Sequence, residues 1–242
     1  MINKTEKVKD YFNATDNYLK NNLEIAIRSS LIEKNLYGLN DKRILDVGCG
    51  NGELTLPYIS KNKITFLDFS EKMLEVVWSK IPENYRHNAE LLNIDLENLE
   101  PGKKYDYIFL IGVLAHVNSI EQTIGLLEKL LAKDGRMIIQ FTNRRNLISI
   151  LTMFIFFRLK PLFKKKPEYK FNYTSLHSIK AELEKKNLRF NKKVNFWPVA
   201  LPGFGFFPEG IRKFVYYKVL NGWLLKPLGS EILLFVSKNK ES

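Results

Sequence analysis

An α/β fold built on a mostly parallel sheet is predicted by three observations. Short apolar runs alternate with segments of helical periodicity between residues 43 and 141. The first run, Ile44, Leu45 and Val47, enters a turn with glycine at every second position, Gly48, Gly50 and Gly52. The hydrophobic content is 45%, yet no apolar run reaches the roughly eighteen residues of a membrane-spanning helix, so that content is free to build one soluble core.

Residues 5 to 37 carry Val8, Tyr11, Phe12, Tyr18, Leu19, Leu23, Ile25, Ile27 and Leu31 at roughly three- and four-residue intervals. That spacing predicts helix, broken into two by YFNATDNY. Strand RILDV follows, then a helix from Glu53 to about Ser60. Strand KITFLDF precedes the helix SEKMLEVVWSKI, with Ser70 as N-cap. Next come AELLNID, strand YDYIFLI, a helix from about Ser119 to Ala132, a turn at Asp134 and Gly135, and strand RMIIQF. Beyond residue 141, NYTSLHSIKAELEKKNLRF predicts a helix capped by Thr174 or Ser175 and then a strand, and EILLFV closes the chain as another. The whole is predicted as one domain: N-terminal helices (1–40), a ligand-binding core (41–141), an insertion (142–175) and a C-terminal part (176–242).

Strand, glycine turn and helix together form a geometry that cradles nucleotides. Glycine permits positive φ and close approach of a ligand, and a helix N-terminus offers free N–H groups. A tight βα turn without a ligand needs one glycine and not three. A dinucleotide fingerprint is the nearer rival, because Asp68 ends the next strand about twenty residues on, within reach of ribose hydroxyls. Against it, the third, more distant glycine is missing and Asp46 precedes the first glycine by two.

DVGCGNG followed by the acid-ended ITFLDFSEKMLE resembles the first two motifs of the class I S-adenosylmethionine-dependent methyltransferases, over roughly residues 40 to 141. The resemblance implies a Rossmann-like doubly wound sheet, mostly parallel with an antiparallel last strand and helices on both faces. It implies that Gly48 and Gly50 wrap the methionine part of the cofactor, that Asp46 lies beside its ammonium group, and that Asp68 accepts hydrogen bonds from the ribose. By the same match Asp95 faces the exocyclic amine of adenine, with Leu96 and Ile111 on either side of the ring. Asp95 is equally placed to cap a turn. Tyr11 or Tyr18 would stack near the cofactor, or simply pack the leading helices on the sheet.

Few catalytic side chains are obligatory for methyl transfer. His116, at the end of GVLAHV, is the best-placed general base for a hydroxyl acceptor, or else a packing residue; His177 is a weaker candidate and His87 reads as solvated surface. The single cysteine, Cys49, sits in the glycine loop, so it offers neither a disulfide nor a nucleophile for ring methylation, and suits a reducing, cytoplasmic setting. No Cys and His spacing suits a metal.

The net charge of +12 is unevenly spread. Residues 1 to 141 balance at −2 (18 Lys/Arg, 20 Asp/Glu), residues 142 to 193 at +11 (14 against 3), and the remainder at +3 (6 against 3). LISILTMFIFF, residues 147 to 157, is apolar all round and flanked by Arg144, Arg145, Arg158, Lys160 and Lys164 to Lys166. As a helix it would reach only about 16 Å, so it is expected to shut a pocket as a lid or to lie on a membrane, not to cross one. With the aromatic stretch FWPVALPGFGFFPEGIRKFVYYKVLNGWLL, it predicts a small-molecule or lipid-linked acceptor, methylated on oxygen and itself acidic or carried by an anionic membrane. RNA is the alternative acceptor, and a cofactor-binding module without catalysis the alternative class.

Overall fold

The computed structural model describes residues 22–36, 38–143, 172, 174–197, 207–222 and 224–239. Its elements are α1 (Asn22–Glu33), β1 (Arg43–Val47), β2 (Lys63–Leu67), α2 (Glu71–Lys80), β3 (Ala89–Leu92), β4 (Tyr105–Ile111), α3 (Ile120–Leu130), β5 (Leu131–Thr142), α4 (Leu176–Lys185), β6 (Leu188–Phe196), α5 (Glu209–Phe214) and β7 (Glu231–Lys238). One seven-stranded sheet has the order β3-β2-β1-β4-β5-β7-β6. Neighbours from β3 to β5 run parallel, and β7 lies antiparallel between β5 and β6. The Rossmann-like fold expected from the sequence is the one observed, antiparallel last strand included.

Both faces of the sheet are covered, which is why the central strands are almost uninterruptedly apolar. On one face Leu45, Leu110 and Ile139 pack against Ile124 and Leu127 of α3 and Ile179 and Leu183 of α4. On the other, Ile44, Phe66, Phe109 and Ile138 pack against Ile27, Leu31 and Ile32 of α1 and Leu74 and Val77 of α2. Serines start three of these helices: Ser70, Ser119 and Ser175 accept from the backbone N–H groups of Met73, Gln122 and Ser178 at 3.4, 3.2 and 3.2 Å. Sequence left Thr174 and Ser175 open as caps, and Ser175 takes the position.

The segment after the glycine loop departs from expectation. In place of an α-helix from Glu53 to Ser60, turns lead into a single 3-10 turn at Leu56–Tyr58. Pro57 has no N–H to donate to the carbonyl of Glu53, and the carbonyl of Gly52 receives both Thr55 (3.1 Å) and Leu56 (2.9 Å). The Thr55 hydroxyl is drawn instead to Asp46, at 2.6 Å. The leading helical pattern before residue 22, with Tyr11 and Tyr18, and the apolar and basic stretch of residues 144–171 lie outside the described residues.

Candidate active site

Strand order reverses between β1 and β4, so the chain leaves the two strand ends in opposite directions and opens a cleft at their carboxyl edge. The glycine loop forms its floor. Gly48, Gly50 and Gly52 all have positive φ (62°, 53° and 73°), a region where a side chain is strained. At Gly48 space is short as well: a β-carbon would stand 2.6 Å from Cγ2 of Val113 on the loop after β4. Only glycine allows the β1 and β4 loops to approach this closely.

Asp68, just beyond β2, pins the loop. Its carboxylate accepts the Gly50 N–H and the Ser70 N–H, each at 2.9 Å. Burial pushes its pKa up, and the N–H groups of Ser70, Gly50 and Phe69 pull it back. Asp46 lies deeper, on β1 between Phe66 and Phe109 of the flanking strands. Burial pushes its carboxyl up to about 7, against the Thr55 hydroxyl, with the neighbouring Asp68 adding to the rise. The Cys49 thiol is raised too, first by burial and then by both carboxylates. Among the described residues, the hydrogen-bonding partners of these two buried acids include no cation.

The cleft holds about 870 Å³ of empty space, part of it open to solvent. Gly48, Gly50, Asp68, Asp95, Leu96 and Ile111 all line it; Asp46 does not, being screened behind the loop. Asp95 caps a 3-10 turn at Leu96–Asn98, its Oδ1 accepting from Glu97 N at 3.1 Å, so the capping alternative and a place on the cleft wall coexist in one residue. Asn118 closes the far end by donating from Nδ2 to Glu97, at 2.8 Å.

A second cavity, with about 850 Å³ of empty space that includes open solvent, lies on the β5 side of β4. Gly112, with φ of 75°, and His116 line both cavities and form the seam between them. His116 is half-buried, its backbone N–H held by the Val113 carbonyl at 2.8 Å. His177 is exposed in the first turn of α4 and His87 is exposed in the 3-10 turn Glu83–Asn88; neither lines either of these two cavities. Sequence reasoning missed Gln140, Thr142 and Glu231, which line the second cavity. The available signal was a glutamine inside the apolar strand RMIIQF and a glutamate opening EILLFV. Among the described residues no three of His, Cys, Asp and Glu gather as a metal site.

Residues 45–137 match the family model described as a methyltransferase domain. A ubiquinone biosynthesis O-methyltransferase of Rickettsia akari (strain Hartford) is 33% identical over 107 residues, 44% of this chain and 42% of the relative. A malonyl-[acyl-carrier protein] O-methyltransferase of Ilyobacter polytropus is 29% identical over 149 residues, 59% of this chain and 53% of the relative. Among solved structures, magnesium protoporphyrin IX methyltransferase from Synechocystis PCC 6803, with bound S-adenosylhomocysteine, superposes with a TM-score of 0.64 at 17% identity, covering 98% of this chain and 100% of that one. A possible histamine N-methyltransferase from Thermotoga maritima gives 0.64 at 14% identity, with 98% and 100% covered.

The glycine loop on a reversed sheet has the fold of the class I S-adenosylmethionine-dependent methyltransferases, and residues 45–137 match a methyltransferase domain. The chain spans about half the length of the curated relatives it matches. The methyl donor of the class is S-adenosylmethionine, and the residues present fit it. A glycine-floored cleft admits a ligand where a β-carbon would clash. Two buried acids suit a ligand bearing ammonium and sulfonium charge, and the one 3-10 turn after the loop supplies no α-helix N-terminus for a pyrophosphate.

The raised carboxyls carry a sign for stability. Unfolded, an aspartate titrates near 3.9; folded, Asp46 holds its proton to about 7. The folded state therefore binds more protons across that window, and the stability of the ligand-free protein falls as pH rises from about 4 to about 7, by up to about 1.4 kcal/mol per pH unit. Asp46→Asn is expected to flatten that slope in urea unfolding at pH 5 and pH 8; an unchanged slope would remove Asp46 as its source.

Proposed function

We propose that this protein transfers the methyl group of S-adenosylmethionine to an oxygen of a small-molecule or lipid-linked acceptor. The observation that carries the reading is the meeting of two cavities at the carboxyl end of β4, separated by Gly112 and His116. The glycine-floored cleft takes the donor: Gly48 and Gly50 against its methionine part, Asp68 under the ribose, and Asp95, Leu96 and Ile111 around the adenine. Asp46, behind the loop, contributes field more than contact. When bound, the sulfonium supplies an electrophilic methyl carbon.

The chain's own work is alignment and proton handling. An acceptor held in the second cavity would present its oxygen across the seam of Gly112 and His116. His116, on the seam, would take the acceptor's hydroxyl proton as the methyl group is delivered. The Rickettsia akari and Ilyobacter polytropus relatives are named as O-methyltransferases, in keeping with an oxygen acceptor.

Peripheral contact with an anionic membrane belongs to the same reading. Tyr216, fully buried, donates its hydroxyl to the Trp197 carbonyl and anchors the segment after α5. Around it Phe207, Ile211, Phe214, Leu224 and Leu228 are exposed, 63% in the case of Phe214 and 66% in that of Leu224. Arg212, Lys213 and Lys218 stand among them. Exposed apolar side chains interspersed with cations suit a bilayer interface carrying negative charge. Among the described residues no helix is long and apolar enough to cross a membrane, and contact at the inner, cytoplasmic face is the corresponding location.

Isothermal calorimetry is expected to show binding of S-adenosylhomocysteine and none of NADH, and Asp68→Ala to weaken the former by about 1–3 kcal/mol, the range for a charged hydrogen-bond acceptor. Binding of NADH in its place would make the protein a dinucleotide enzyme. In flotation with anionic liposomes at low salt the protein should rise with the vesicles; recovery in the dense fraction would remove the membrane contact.

A further inference from the structure

The second cavity contains a buried acceptor atom that the fold does not satisfy. Gln140 occupies the middle of the sheet, paired with Ile111 of β4 on one side and Leu233 of β7 on the other, and is 3% exposed. Its Nε2 donates to Oε2 of Glu231, while the Thr142 hydroxyl donates to Oε1 of the same carboxylate at 2.6 Å. A carboxylate accepts and does not donate, so the amide must present its NH₂ to Glu231 and turn its carbonyl oxygen away. That oxygen is buried and has no hydrogen-bond partner among the described residues. It faces the seam: a β-carbon placed on Gly112 would lie 3.8 Å from it.

Strand ladders bury few such atoms without a partner, because the desolvation cost is never recovered. Here the orientation is enforced by two neighbours. Glu231, at the start of β7, and Thr142, at the end of β5, together hold the amide so that its acceptor lone pairs point into the cavity instead of toward the sheet.

Resting on the methyltransferase reading, we propose that Gln140 is a specificity-determining residue of the acceptor site. Its Oε1 accepts a hydrogen bond from a hydroxyl or N–H of the acceptor lying over the Gly112 seam, and the Glu231 and Thr142 pair sets its orientation. The site then favours donor-bearing acceptors. An analogue whose donor is capped leaves the buried Gln140 oxygen unpaired, and sites built in this way discriminate far more strongly than apolar pockets do.

The test uses the full chain saturated with S-adenosylhomocysteine, so that the first cleft is filled, and two probes that differ only in the donor: phenol and methoxybenzene. Phenol is expected to bind at least about fivefold more tightly by calorimetry, and to shift the assigned side-chain amide resonance of Gln140 where methoxybenzene does not. Gln140→Met, similar in shape and lacking the acceptor, is expected to bring the two affinities within about twofold while still binding S-adenosylhomocysteine, which reports that it has folded. If that variant does not fold, the wild-type affinities and the amide resonance decide alone. Equal affinities in the wild type, a preference that survives in Gln140→Met, or no binding of either probe would overturn the assignment. Failure of the wild type to bind S-adenosylhomocysteine would strike the underlying reading instead, and is seen before any probe is added.

Discussion

The site depends on a stretch of backbone that only glycine tolerates, held in place by one carboxylate. Three residues in left-handed conformation within five positions would be costly with side chains, and the loop has no α-helix to stiffen it. Asp68 supplies the constraint by accepting the Gly50 N–H from the end of the neighbouring strand, which fixes the β1 loop against the β2 loop. The cost appears in the electrostatics. Asp68 and Asp46 share a buried space without a counter-cation among their described hydrogen-bonding partners, and both carboxyls are driven upward. A ligand carrying positive charge relieves that cost, so an arrangement that is unfavourable in isolation becomes favourable on binding.

The sheet gives this arrangement its direction. Because β1 and β4 are adjacent while their following connections diverge, the space between the strand ends stays open. The antiparallel β7 then brings Glu231 to the carboxyl end of β5, a position that an all-parallel order would have given to the far end of the strand. Gln140, Thr142 and Glu231 thus form the wall of a second cavity that shares Gly112 and His116 with the first. Cleft, seam and second cavity follow from one strand order.

Much of this was legible in the residues. Alternation of apolar runs with helical spacing announced the α/β sheet, since parallel strands buried on both faces leave no polar period, and serines before three helical runs marked their starts. The glycine spacing and Asp68 pointed to the cleft because each has a short-range mechanism: positive φ in one case, an acid ending a strand in the other. The helix expected at Glu53 failed because periodicity does not register that Pro57 lacks an N–H or that Thr55 prefers Asp46. Gln140 and Glu231 escaped for a different reason. They lie 91 positions apart in the chain, and only the insertion of β7 beside β5 makes them neighbours, a long-range pairing that no local pattern encodes. That Asp46 sits behind the loop and off the cleft wall is likewise a matter of side-chain direction on a twisted strand.

The central claim is that the glycine-floored cleft is shaped for an adenosyl sulfonium with its reactive carbon aimed at the β4 seam. A crystal structure of the protein grown with S-adenosylhomocysteine tests it most directly. The account predicts density along Gly48 to Gly50, the ribose over Asp68, the adenine between Leu96 and Ile111, and the sulfur facing Gly112 and His116. A nucleoside lodged elsewhere, or a cleft filled by the protein's own side chains, would contradict it.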